Sequence, residues 1–329
     1  MYKILVLLFV AWAAIASDIQ YPLTIASDTC HRPLGFSYAW GSFGDEPGQF
    51  KNPVAVAVDR DGNVHVTDRE NRRIQTFTPQ GQYLLEYGNE DNRVMLNPNG
   101  IEVGPSGFLY IADTDQHRIL RYNAAGQLSG GWQDGDGGDR WRLREPWGVA
   151  GWDEGGTGNV YVVDHLTCQI LRFQNSGQFI DLWGSSCSSA DWLLSAPQDI
   201  ATYAQHSPFD IYLYIADTGN DRIAKYDYRL NWLKNWGTSG IADGEFKEPS
   251  SVATDKNGCV YVADSGNNRI QIFDGEGNFV AKLGGAGELT TPRGLAIGPD
   301  SCIYVADTGN QRIAVFCQQH RLYLPNLLR

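Results

Sequence analysis

Val260-Tyr261-Val262-Ala263-Asp264 is one copy of a five-residue phrase that recurs along the chain, ending also at Asp68, Asp113, Asp164, Asp217 and Asp307. Neighbouring copies lie 43 to 53 residues apart. A period of that length belongs to propeller blades or helical solenoids, and the β-branched and aromatic content of the phrase selects strands. Each unit divides in the same way. A proline opens a short apolar strand, most clearly at Pro53–Val58 and Pro292–Ile297, and a turn such as Asp61-Gly62-Asn63 reverses the chain into the phrase. A polar loop with Gly-Asn-x-Arg follows, then a strand of the form Arg-Ile-x-x-Phe, a Gly-containing turn and a last strand that often ends in Trp-Gly. Four strands per unit make one blade.

The last strand is found only five times after the first proline-led strand. Phe36–Gly41 has the same form as Trp232–Gly237 and precedes that first strand. The N-terminal part is therefore expected to complete the blade whose inner three strands come from the C-terminal part, which closes the ring. The predicted fold class is all-β: a six-bladed β-propeller of four-stranded antiparallel blades.

The expected boundaries are a signal peptide over 1–16, a lead-in over 17–35, the propeller over 36–317 and a C-terminal tail over 318–329. Lys3, the apolar run Ile4–Ile15 and the small-residue Ala14-Ile15-Ala16 form a secretory leader pattern, and Asp18 follows too soon for the roughly 20 apolar residues of a membrane span. No membrane span is expected elsewhere. A net charge of -12 opposes nucleic-acid binding. The one basic cluster, Arg140, Arg142 and Arg144, is bordered by acids.

The strand-Asp-x-x-Asn-x-Arg-Ile-x-x-Phe core resembles the NHL repeat family, in recognisable form in six units from about Phe36 to Phe316. The resemblance implies the propeller. It leaves function open, because related propellers serve as RNA-binding domains, protein-binding modules, sensor ectodomains and lyases. In the peptidyl-α-hydroxyglycine amidating lyases, zinc is held by histidines just after the prolines that open inner strands. The matching positions here are Val54, Asn99, Trp147, Gln198, Ser250 and Arg293, none of them histidine, so that activity is not expected.

Six cysteines in a secreted chain allow three disulfides. Cys30 and Cys317 flank the place where an ordinary blade has its turn, and are expected to pair. Cys168 and Cys187 fall on loops of one face, where a disulfide competes with two free thiols. That leaves Cys259 with Cys302, at equivalent positions of neighbouring blades, where the separation is open to question.

The repeated Asp and Arg are read as structural, because a catalytic centre is one asymmetric place. Function is expected where the repeat breaks. Blade three breaks it most, with Asp164-His165-Leu166-Thr167-Cys168-Gln169. Trp141, Trp147 and Trp192, which no repeat requires, are expected on the same loop face, with His165 nearby. Asn99, Glu102, Gln198, Asp199 and Arg293 are expected around the channel mouth, where Arg293 suits a carboxylate-bearing ligand. No catalytic residue is assigned. Asp134, Asp136 and Asp139 form a weak calcium candidate without EF-hand spacing, and no other cofactor is expected. The expected function is a secreted binding module that recognises a protein, peptide or glycan through blades three and four. The alternative is a metal-dependent lyase or hydrolase acting on a small molecule at the channel mouth.

Overall fold

A computed structural model describes residues 27–88, 95–104, 106–136, 141–152, 158–204, 210–285 and 287–319. The expected signal peptide, Asp139 and residues 320–329 of the expected tail lie outside them. The described chain is all-β apart from one short α-helix and four 3-10 turns, and forms six four-stranded antiparallel sheets. The inner strands are Pro53–Val58, Pro98–Val103, Pro146–Trp152, Asp199–Ala204, Pro249–Thr254 and Pro292–Ile297, opening blades one to six in that order. Each contacts the inner strand of the next blade, and that of blade six contacts blade one, so the sheets close into a ring. In blade six the order is Leu34–Trp40, Arg312–Gln318, Ile303–Asp307, Pro292–Ile297, the outermost strand coming from the N-terminal part.

The repeat phrase is the buried second strand of every blade. In blade five Asp264 is fully buried and accepts hydrogen bonds from the Lys247 amide (2.7 Å), Asn267 Nδ2 (2.9 Å), Arg269 Nε (2.7 Å) and Gln271 Nε2 (3.0 Å). Arg269 donates onward to the carbonyls of Ala242 and Glu245. One carboxylate thus ties its own loop to the connection arriving from blade four, and a buried charge is tolerated because every lone pair is used. A left-handed residue, Asn268 (φ 56°), ends the 3-10 turn between Asp264 and Arg269. Turns between inner and second strands use another short device. Asp59 accepts from the Asp61 and Asn63 amides, while Gly62 takes φ 86°, where a side chain would be strained.

Neighbouring blades are stitched by the residue after the repeat Asp. Thr114, Thr218 and Thr308 each donate a hydroxyl to the carbonyl of the next blade's opening proline (Pro146, Pro249 and Pro53) at 2.6 to 2.7 Å, and Ser265 does so to Pro292. Blades one and three depart from this. Their residues at that place are Arg69 and His165.

Two cysteine expectations need correction. Cys30 bonds to Cys259 and Cys302 to Cys317, not Cys30 to Cys317 and Cys259 to Cys302. Ile303 pairs with Phe316, so Cys302 and Cys317 are the next facing residues of one hairpin. Cys259 and Cys302 are separated by a blade spacing. Before it supplies the outer strand of blade six, the lead-in crosses blade five, where Arg32 meets Asp255 at 2.5 Å and Cys30 meets Cys259. Cys168 and Cys187 are bonded. Cys168 (φ 56°) takes the left-handed position that Asn268 holds in blade five, between Thr167 and Gln169, which replace the loop Asn and Arg.

Candidate functional site at the channel mouth

At the end where inner strands begin, Val54, Asn99, Trp147, Gln198, Ser250 and Arg293 converge around a mouth cavity of about 40 Å³. Below it lies a channel cavity of about 170 Å³ lined by the strands themselves. Ala55, Asp199, Ser251 and Gly294 line both, forming the waist between them. The waist is narrow because backbones approach closely. A Cβ on Gly294 would lie 2.4 Å from the Val54 carbonyl oxygen, and one on Gly100 2.2 Å from that of Trp147.

Trp147 is half-buried and has two close neighbours. The His165 ring stacks on it at 4.3 Å with an interplanar angle of 16°, and the Arg69 guanidinium lies 5.8 Å from its ring centre. His165 Nδ1 faces the Pro197 carbonyl at 3.3 Å, which keeps the blade-to-blade stitch and orients the imidazole. Arg69 makes no such stitch. It donates to Asn97 Oδ1 on the connection into blade two, and its guanidinium extends to the Trp147 ring of blade three. Both departures from the Thr/Ser rule therefore contact one aromatic ring.

Of the candidates from sequence, Trp147, Asn99, Gln198, Asp199 and Arg293 meet at the mouth, with His165 behind Trp147. Asn99 is committed inward, its amide donating to Thr114 Oγ1 at 2.7 Å. The tryptophan cluster does not form. Trp141 is 4% exposed and packs between blades two and three against Phe173 and Phe179, because its indole fills the gap under the long connection. Trp192 is 58% exposed on the connection into blade four. In the calcium candidate, Asp134 accepts from the Leu143 amide and faces Arg142 and Arg144, and Asp136 accepts from the Gln133 amide. Among the described residues no group of three or more His, Cys, Asp or Glu is placed to hold a metal.

Sequence reasoning placed Glu102 at the mouth, whereas it lines the channel below. Four residues past the opening proline, five units have alanine (Ala57, Ala150, Ala201, Ala253, Ala296) and blade two has Glu102. Two residues past it, five units have Gly, Ala or Ser and blade four has Asp199. That substitution pattern was the available signal. Burial, and then the Asp199 charge, push the Glu102 pKa up to about 8. Burial raises Asp199 to about 6, against hydrogen bonds from the Ser251 hydroxyl (2.6 Å) and the Val252 and Ile200 amides. At neutral pH the channel thus holds a protonated and an ionised carboxyl.

The NHL repeat model matches residues 50–77, 246–273 and 289–316, the phrase-centred segments of blades one, five and six. The chain carries NHL repeats. The chain is also similar to Protein brain tumor of Drosophila melanogaster, 28% identical over 151 residues, 45% of this chain and 14% of that protein. A shorter match, 34% identical over 64 residues, is to the E3 ubiquitin-protein ligase TRIM71 of Xenopus tropicalis, covering 19% of this chain and 8% of that one. The NHL chain therefore spans a small fraction of either relative. Among solved structures, a streptogramin B lyase superposes with a TM-score of 0.60 at 13% identity, over 88% of this chain and 98% of the other, a likeness of fold.

Proposed function

We propose that this NHL propeller is a binding module, exported through its N-terminal leader, that recognises a protein, peptide or glycan at the mouth and loop face around blades three and four. The observation that carries this reading is the Trp147 platform at the axis, stacked on His165 with Arg69 beside it, the two residues at which the repeat is abandoned. A rigid, partly exposed indole on a closed scaffold supplies flat apolar contact at little entropic cost. Three disulfides support an oxidising compartment, since thiols in the cytosol stay reduced.

Peptide and glycan arrays probed with the wild type and with Trp147→Ala test this. The expected result is a ligand class bound by the wild type and weakened about 30-fold in the variant, with unchanged melting temperature. Equal binding by both proteins across the arrays would remove Trp147 from recognition.

A second reading, a small-molecule lyase or hydrolase, is favoured by one observation, the split carboxyl pair in the channel. Glu102 protonated beside ionised Asp199 is the arrangement of a general acid and a general base. Under this reading Glu102→Gln abolishes turnover, whereas binding at the mouth is unaffected.

A further inference from the structure

We infer that the channel mouth receives a carboxylate, seated between the guanidinium groups of Arg69 and Arg293 with the rest of the ligand lying on Trp147. This rests on the proposed recognition role of the mouth and names the chemistry it selects. Arg69 stands where four other blades have a Thr or Ser that stitches to the next opening proline, a bond that Arg69 does not make. Arg293 stands where the other blades have Val54, Asn99, Trp147, Gln198 and Ser250, all uncharged. Among the described residues its side chain has no hydrogen bond or ion pair, although it lines the mouth.

The Arg69 guanidinium lies 5.8 Å from the ring centre of Trp147, which lines the same mouth as Arg293. Burial, and next the charge of Arg293, lower the Arg69 pKa, while Asp115 and Glu70 act in the other direction. Among the described residues no carboxylate lies within ion-pair distance of either guanidinium. Two like charges converging on a half-buried mouth are costly in a chain whose net charge is -12 and which has acids to spare for pairing them. An incoming anion removes that cost. Guanidinium forks match the planar two-oxygen geometry of a carboxylate, and the mouth cavity of about 40 Å³ admits a group of that size. Asp199 at the waist repels an anion from the channel. The carboxylate is therefore held at the rim, with its substituent directed over the indole.

The test uses the full chain and four probes in isothermal titration: hippurate, hippuramide, the peptide acid N-acetyl-Gly-Phe, and phenyl phosphate. Expected are binding of at least one acid, at least tenfold weaker binding of the amide, and loss of that difference in Arg293→Gln. Trp147→Ala weakens acid and amide alike. Tighter binding of the peptide acid identifies a peptide C-terminus as the source, and tighter binding of hippurate a small aromatic acid. Without ligand, Arg293→Gln raises the melting temperature by about 1–3 °C, because a repulsion is relieved. Equal binding of acid and amide, preference for phenyl phosphate, no binding of either acid at millimolar concentration, or a lowered melting temperature of Arg293→Gln would each overturn the inference. If array ligands still depend on Trp147 in those cases, the recognition reading stands and only its carboxylate chemistry falls. Loss of Trp147 dependence in the arrays sinks the reading itself.

Discussion

Replacing Glu102 by Gln keeps the size and polarity of a side chain that is already neutral in the folded protein at low pH, and removes its ability to ionise. Burial and the Asp199 charge carry the Glu102 pKa from 4.5 to about 8. The folded state therefore binds more protons than the unfolded chain between those values, and stability falls as pH rises through the window. A displacement of that size corresponds to about 4–5 kcal/mol. Relaxation and solvent penetration around a buried charge reduce this to about 2–3 kcal/mol. Over the six blades that is roughly 3–5 °C in melting temperature. Wild type and Glu102→Gln should melt together near pH 4.5, and the variant should gain progressively until about pH 8, after which the gap is constant. Asp199, raised to about 6, adds a loss of the same sign between its free value and pH 6 in both proteins. Differential scanning fluorimetry from pH 4 to 9 at fixed ionic strength measures it. Parallel curves across the range would mean that Glu102 titrates alike in the folded and unfolded chains, and would refute both its enclosure and its coupling to Asp199.

Two further perturbations address the scaffold. Asp264→Ala leaves the buried Arg269 without its carboxylate and should cost about 3–5 kcal/mol in urea unfolding; a loss below about 1 kcal/mol would show that Arg269 is satisfied by carbonyls alone. The Cys30–Cys259 bond spans 229 residues and Cys302–Cys317 spans 15, so Cys30→Ser with Cys259→Ser should cost about 5 kcal/mol against about 3 for Cys302→Ser with Cys317→Ser, and the reverse ranking would refute a loop-entropy origin.

The blades were legible because each repeats a short code with local consequences: a proline to open, an Asp to bind the loop, an Arg to bind the Asp. The mouth residues were legible for the same reason, since the position after each proline is fixed by the repeat. What lay outside the repeat was not. The path of the lead-in across blade five is set by contacts at Asp255 and Cys259 that no periodicity encodes, so the cysteine pairing was misread. Trp141 was expected on the loop face as part of a binding cluster, yet its indole is buried between blades two and three, a packing that no periodicity encodes. Arg69 escaped notice because its role depends on reaching from blade one to blade three.

The closure of blade six has a consequence for biosynthesis. Ala39 pairs with Ala314, so the outer strand leaves the ribosome about 275 residues before its partner exists. At about 5–20 residues per second this strand waits roughly 15–55 s with its backbone groups unpaired. It carries Phe36, Tyr38 and Trp40, an adhesive sequence for such an interval. On a polysome, the nascent chain ahead exposes a waiting Arg312–Gln318 strand at the moment it is completed. Exchange of outer strands between neighbouring chains is then the natural error, and it would yield dimers in which every blade is intact and each ring is closed by the other molecule.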